Sequence, residues 1–313
     1  MRDPAELCHL LGLPELERQA RQAAERFGLF APRTFIRRMR YGDPADPLLR
    51  QVLPLADELD SPPGYSADPV GDGPAKLAPG LLQKYASRAL IVATGACAVH
   101  CRYCFRREFP YDETPKSPAA WQGAIDRIAA DPTVTEVILS GGDPLTLVDS
   151  QLAELVDRLA AVPHVRRLRV HTRLPVMIPS RVDDDLLAWL VGGRLAPVVV
   201  IHANHAAELD DSVAESVRRL TTAGALLLNQ AVLLRGVNDD VRSLVELSER
   251  LIDLRVAPYY LHQLDRVLGA AHFEGPEARG RELIAELRAR LPGYAVPRYV
   301  RETPGATGKV VLA

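Results

Sequence analysis

The chain has 313 residues, 47% of them hydrophobic and 25% charged, which describes a globular protein with a sizeable core. Its formal net charge of −2 excludes a global electrostatic footprint for nucleic acid. No apolar run reaches membrane-spanning length, and Met1-Arg2-Asp3-Pro4-Ala5-Glu6 lacks the pattern of a signal peptide, so a cytoplasmic location is expected, with no membrane partner.

Residues 3–29 read as Leu- and Ala-rich helices broken near Pro14. Residues 31–80 are irregular, with Ser61-Pro62-Pro63-Gly64 and Gly71-Asp72-Gly73-Pro74, and Leu49, Val52 and Leu55 anchor them on the main domain. The basic clusters Arg37-Arg38-Met39-Arg40 and Arg106-Arg107 read as solvated or anion-binding arginines. From about residue 85 the pattern becomes regular. Strand-type runs at 89–93, 136–139, 168–171, 197–202, 225–234 and 256–261 alternate with helical patterns at 117–130, 149–161, 182–190, 207–222, 238–253 and 276–290. Six βα units predict an α/β fold, a partial (β/α)6 TIM-like barrel of parallel strands, with an eight-fold barrel as the alternative. The predicted organisation is a helical and irregular N-terminal region (1–84), the barrel (85–262) and a C-terminal segment (263–313).

Parallel α/β folds place their chemistry at the C-terminal ends of the strands. The predicted strands end in polar groups: Thr94-Gly95, Ser140-Gly141-Gly142-Asp143-Pro144, His171-Thr172-Arg173, His202-Ala203-Asn204-His205, Arg235-Gly236-Val237-Asn238 and His262-Gln263-Leu264-Asp265. Each alone is an ordinary loop or cap; their convergence on one rim predicts a binding site.

Directly after the first run stand Cys97, Cys101 and Cys104, at the spacing C-x3-C-x2-C, with Cys8 the only other cysteine. Thiolates hold iron–sulfur clusters, and three protein ligands on a [4Fe–4S] cluster leave one iron open for a chelating ligand. A zinc site would want a second ligand pair, which the sequence does not offer; His100 within the loop would make an unusually crowded zinc knuckle, and idle thiols are the remaining alternative. Lysine is scarce: Lys76, Lys84, Lys116 and Lys309 are the only ones. Lysine, unlike arginine, can form a Schiff base. Lys309 closes the glycine-containing stretch Thr303-Pro304-Gly305-Ala306-Thr307-Gly308, which is not a phosphate-binding P-loop, because Thr303 stands where that motif needs glycine. A lysine this near the C-terminus is ordinarily a frayed, solvated group.

The cysteines, followed one βα unit later by Gly141-Gly142-Asp143-Pro144, resemble the cluster motif and the Gly-Gly-Glu-Pro motif of the radical SAM enzymes. In that family the open iron binds S-adenosylmethionine, whose reductive cleavage yields a 5′-deoxyadenosyl radical. Asp143 departs from the commoner glutamate and matches the lysine 2,3-aminomutase branch. From about residue 80 to 313 the chain resembles that branch, which implies a lysine–pyridoxal phosphate linkage at Lys309, the catalytic residue, with Lys84, Tyr85 and Arg173 beside that cofactor. The resemblance further implies Arg106 on the substrate carboxylate, Asp265 and Glu302 on its distal ammonium, and Gly141, Gly142, Asp143 and His202 around S-adenosylmethionine. Glu302 stands where free-standing aminomutases have aspartate. Two carboxylates suit a cationic side chain and argue against glutamate as substrate.

The short chain and its arginine-rich C-terminal region look most like the members that make β-lysine for elongation factor P, and the Gly-Gly-Gly-Gly-Lys of the longer enzymes is reduced here to Gly-Ala-Thr-Gly-Lys. They lack the C-terminal zinc-binding cysteines of the longer enzymes, so no zinc is expected. The implied activity is isomerisation of free L-lysine, (S)-α to (R)-β, with an unidentified reductant, an indirect link to elongation factor P through a separate ligase, and room for a homo-oligomer. Alternatives are an aminomutase for another cationic amino acid, such as arginine, or a non-catalytic iron–sulfur redox or sensor protein; the latter would need neither Lys309 nor the Gly141–Pro144 turn.

Overall fold

The computed structural model describes residues 1–115 and 117–313; Lys116 lies outside the described residues. Ten strands form one sheet in chain order: β1 (Lys76–Ala78), β2 (Leu81–Tyr85), β3 (Arg88–Thr94), β4 (Glu136–Gly141), β5 (Arg167–Thr172), β6 (Ala196–Ile201), β7 (Leu226–Val232), β8 (Ala257–His262), β9 (Arg298–Arg301) and β10 (Val310–Val311). Pairing is parallel from β3 through β9 and antiparallel at both flanks, β1–β2–β3 and β9–β10.

Helices connect the parallel strands, as each parallel crossover requires. The N-terminal region contributes α1 (Pro4–Leu10), α2 (Glu17–Ala24) and α3 (Arg33–Ile36). The connections are α4 (Gln122–Ala130), α5 (Asp149–Ala160), the short α6 (Leu174–Met177) with α7 (Asp184–Val191), α8 (Asp211–Thr222), α9 (Val241–Asp253) and α10 (Glu277–Arg290). Aspartate side chains cap α1, α7, α8 and α9, from Asp3, Asp183, Asp210 and Asp240. Each crossover helix buries one apolar stripe, such as Leu244, Leu247 and Leu251 of α9.

This is a partial TIM-like barrel, and the six expected βα units are present. Two elements differ from the sequence expectation. Lys76–Tyr85, taken as mostly irregular, supplies the antiparallel flank β1–β2, and β9 adds a seventh parallel strand. Both strands at the edges are very short, so period-2 alternation has no length in which to show.

The interior differs too. A parallel-sheet strand is ordinarily buried on both faces, yet β5 alternates half-buried and buried residues. Leu168 and Val170 are buried, whereas Arg169 and His171 line a cavity inside the barrel. Gln230 on β7 and Tyr260 and His262 on β8 face the same space.

Candidate active site

The cavity has a volume of about 290 Å³. Every residue singled out for a site lines it: Cys97, Cys101, Cys104, Arg106, Gly141, Gly142, Asp143, Arg173, His202, Asp265, Glu302, Lys309, Lys84 and Tyr85. These span 226 positions of sequence, from Lys84 to Lys309 counted inclusively. Of the other polar groups near the strand ends, Ser140, His171, Thr172 and His262 also line it, whereas Asn229 and Asn238 do not. Asn229 exchanges hydrogen bonds with the backbone of Ala203 (2.9 and 3.0 Å), and Asn238 donates to the Asn204 and Val232 carbonyls (2.9 and 3.0 Å), so both stitch strand ends together.

The two motifs are built against each other. Gly142 N donates to Thr94 O at 2.8 Å and Asp143 N to Ala96 O at 2.7 Å, joining the glycine turn to the loop that carries Cys97. A Cβ on Gly142 would lie 2.2 Å from Ala96 O, and Gly141 has φ +128° with Thr94 O 2.4 Å from its would-be Cβ. Only glycine fits either position. The close approach here is to the cysteine loop's own backbone, a reason additional to the expected approach of the methionine moiety. Asp143 ties the turn to β5: its carboxylate accepts from Thr172 Oγ1 (2.8 and 3.0 Å), Arg173 N (2.7 Å) and Leu145 N (3.1 Å). Burial pushes its pKa up to about 6 against these hydrogen bonds.

The cysteine loop is clamped from behind by the N-terminal region. Arg102, fully buried, pairs with Glu58 (2.5 Å) and donates to the Phe27 carbonyl (2.9 Å). His100 N donates to Phe30 O at 2.8 Å and Arg102 N to Gln51 O at 2.9 Å. Burial pushes the Cys104 thiol up to about 11 and Cys97 higher still, so loading with metal would release protons from both. Among the described residues, no three His, Cys, Asp or Glu side chains converge as ligands of a single ion. Thiolates of a cluster bind separate irons, and all three cysteines line the one cavity in which a cluster would sit.

A chain of charges lines the same cavity. Arg106 donates through Nε to Asp72 Oδ2 (2.7 Å) and through Nη1 to Ser140 Oγ (3.1 Å). Asp72 also pairs with Lys84 Nζ at 2.7 Å. Burial raises the Asp72 pKa, but Arg106 and Lys84 outweigh it and hold the carboxyl below its ordinary value. Lys309 Nζ donates to Glu302 Oε2 at 2.6 Å, and the Tyr85 hydroxyl donates to Glu302 Oε1. Asp265, half-buried, is pushed up to about 7, mainly by burial. His171, His202 and His262 are held neutral: burial lowers all three, His202 to about 3. Among the described residues, Nε2 of His171 and of His262 have no hydrogen-bond partner, leaving two buried polar atoms in the cavity wall for a ligand.

Arg173, expected beside pyridoxal phosphate, lines the cavity and turns its guanidinium to the cysteine loop. Its guanidinium donates to Cys101 Sγ (2.9 Å), Gln51 Oε1 (2.5 Å) and Glu208 Oε2 (2.9 Å), because β5 ends next to the cysteine loop. Also lining the cavity are Asp72, Arg88, Arg169, Gln230, Tyr259 and Tyr260, to which the sequence assigned no role, together with the strand-end His171. The glycines flanking Asp72 mark only a turn; charged or amide groups within apolar strands, as at Arg169 and Gln230, were the available signal.

Residues 91–247 match the family described as the Radical SAM superfamily. The parallel barrel with three cysteines after its first parallel strand thus defines a radical SAM protein. Among its relatives, the L-lysine 2,3-aminomutase of Escherichia coli K12 is 46% identical over 312 residues, 99% of this chain and 91% of that protein. The enzyme of the same name from Haemophilus influenzae is 44% identical, covering 99% and 92%. That of Clostridium subterminale is 38% identical over 269 residues, 85% of this chain and 64% of that protein. The chain belongs to the L-lysine 2,3-aminomutase family of isomerases. That family implies a [4Fe–4S] cluster, S-adenosylmethionine and pyridoxal phosphate as cofactors.

Proposed function

We propose that this protein converts (S)-α-lysine to (R)-β-lysine, with Cys97, Cys101 and Cys104 holding the cluster and Lys309 holding pyridoxal phosphate. The observation that carries the reading is that the cysteine wall and the Lys309–Glu302 pair bound one cavity. When bound, the cluster with S-adenosylmethionine supplies a hydrogen-abstracting radical, and pyridoxal phosphate supplies an aldehyde for the migrating amino group.

The chain's own residues account for the rest. Arg106, fixed by Asp72 and Ser140, presents the remainder of its guanidinium to a substrate carboxylate. Glu302 and Asp265 supply negative charge for a distal ammonium; a neutral or acidic side chain would leave them unpaired. Lys84, with Arg88 and Arg169 on the same wall, supplies positive charge suited to a phosphate. Tyr85 orients Glu302. The neutral imidazoles of His171 and His262 offer Nε2 to a cofactor. The enclosing strands keep water from the reacting carbon.

The finer proposal is that the β-lysine passes to a separate ligase for elongation factor P. Near full-length similarity to the Escherichia and Haemophilus proteins, against 64% coverage of the Clostridium enzyme, supports the grouping with the shorter members. The test is anaerobic reconstitution with iron, sulfide, pyridoxal phosphate, S-adenosylmethionine and a strong reductant, followed by a panel of lysine, ornithine, arginine and glutamate. β-Lysine formed from lysine, in preference to any product from the others, is the expected result. Turnover of arginine but not lysine would move the assignment to another cationic amino acid. Co-expression with elongation factor P and its ligase should add a β-lysyl mass to the factor.

A further inference from the structure

Arg173 follows β5, and its backbone N is fixed by Asp143 Oδ2 at 2.7 Å. Its guanidinium is fixed as well. Nη1 donates to Cys101 Sγ at 2.9 Å, while Nη2 donates to Glu208 Oε2 at 2.9 Å and to Gln51 Oε1 at 2.5 Å. Arg173 is 6% exposed, and Gln51 and Glu208 are 0% exposed. Glu208 has no freedom to turn away: its Oε1 accepts from Asn204 N (2.8 Å), Gln51 Nε2 (3.0 Å) and His205 N (3.1 Å). A permanent positive charge is therefore held between one cysteine sulfur and one buried carboxylate.

We propose that Arg173 is a positioning residue that sets the reduction potential of the cluster through Cys101, with Glu208 as its opposing charge. The proposal rests on the reading of Cys97, Cys101 and Cys104 as cluster ligands. Reduction adds one electron to the cluster and its thiolates. A guanidinium donating to a ligand sulfur stabilises that added charge, and hydrogen bonds to sulfur and local charge are what set such potentials. Burial removes solvent and salt screening, so the effect is not dissipated. Arginine does not deprotonate, so the charge is present at every working pH. Glu208, beyond the guanidinium, cancels part of its field. Gln51 carries this arrangement into the N-terminal region, which thereby bears on the metal site without contributing a ligand.

The two charges predict shifts of opposite sign, which a merely structural role does not. The experiment uses the full chain, reconstituted anaerobically, as wild type, Arg173→Gln, Arg173→Lys and Glu208→Gln. Iron and sulfide are counted first. The midpoint potential is then read by redox titration followed by electron paramagnetic resonance, without S-adenosylmethionine. Arg173→Gln is expected to lower the reduced-to-oxidised ratio at a fixed potential at least tenfold, equivalent to about 59 mV for one electron. Glu208→Gln is expected to raise the potential, and Arg173→Lys to stay closer to wild type than Arg173→Gln. An unmoved potential in Arg173→Gln, or shifts of the same sign in Arg173→Gln and Glu208→Gln, overturns the inference. Should Arg173→Gln fail to hold its cluster, Glu208→Gln decides: a potential equal to or below wild type overturns it. A wild type that takes up no cluster overturns the cysteine reading as well, whereas a loaded wild type with unmoved variants overturns this inference alone.

Discussion

The Lys309 ammonium lies 2.6 Å from Glu302 Oε2, the two residues flanking the loop that joins β9 to β10. The carboxylate assigned to a substrate's distal ammonium thus holds the chain's own. Burial raises the Glu302 pKa, but Lys309 and Tyr85 outweigh it and keep it ionised. A lysine substrate can take this place only after Lys309 has left it, which uptake of Lys309 by pyridoxal phosphate would bring about. Glu302→Gln should therefore raise the lysine KM about tenfold or more, on the scale of one charge-assisted hydrogen bond, with less effect on cofactor loading. Steady-state kinetics beside the pyridoxal absorbance of the same preparation checks both halves.

Asp265 carries the pH dependence. Burial, with Glu302 adding and Lys309 opposing, pushes it up to about 7. A cationic side chain binds the ionised form. As pH falls below about 7 the carboxyl takes a proton, so the apparent lysine KM should climb. Asp265→Asn should raise KM and flatten that limb of the profile. A KM that is flat from pH 6 to 8 in the wild type would contradict the assignment.

Asp72 joins two cations that no motif connects. Its side chain is 3% exposed and that of Arg106 is 7% exposed, so Asp72→Asn leaves a buried guanidinium without its anion. Removing one partner of such a pair typically costs about 3–5 kcal/mol. The folded pKa of Asp72 is lowered, so its contribution is complete above the unfolded value of about 4 and is lost as pH falls through the folded value. Denaturant titrations should show a marked loss for the variant at pH 7 and a narrowing gap in acid.

Gly142→Ala puts a methyl group 2.2 Å from Ala96 O. The cysteine loop must shift, at a cost of about 1–3 kcal/mol by the usual scale of overpacking. Iron content per chain should fall below that of the wild type, and the cluster's visible absorption should report it.

Legibility in the sequence followed length and locality. The six βα units were readable because each parallel strand and each crossover helix is long enough to show its period, as in Leu244, Leu247 and Leu251 of α9. The cysteines and the glycine turn were readable because their chemistry is written within a few residues. β1, β9 and β10 were not, since two to four residues carry no period and their pairing is non-local. Asp72 stayed hidden for a related reason: its meaning lies in Arg106 and Lys84, which a turn-like Gly-Asp-Gly does not disclose. Arg173 was visible as a strand-end arginine, but its direction depended on where Gln51 and Glu208 came to rest.

The proposed reaction requires the cysteine wall and Lys309 to act together in one cavity. The direct measurement is β-lysine formation from lysine under anaerobic, reducing conditions, with wild type and Lys309→Ala, each with and without pyridoxal phosphate and S-adenosylmethionine. Product is expected only from wild type with both cofactors, and the Lys309→Ala protein is expected to keep its iron but lose the pyridoxal absorbance. Turnover by Lys309→Ala, or by wild type freed of pyridoxal phosphate, would contradict the proposed reaction.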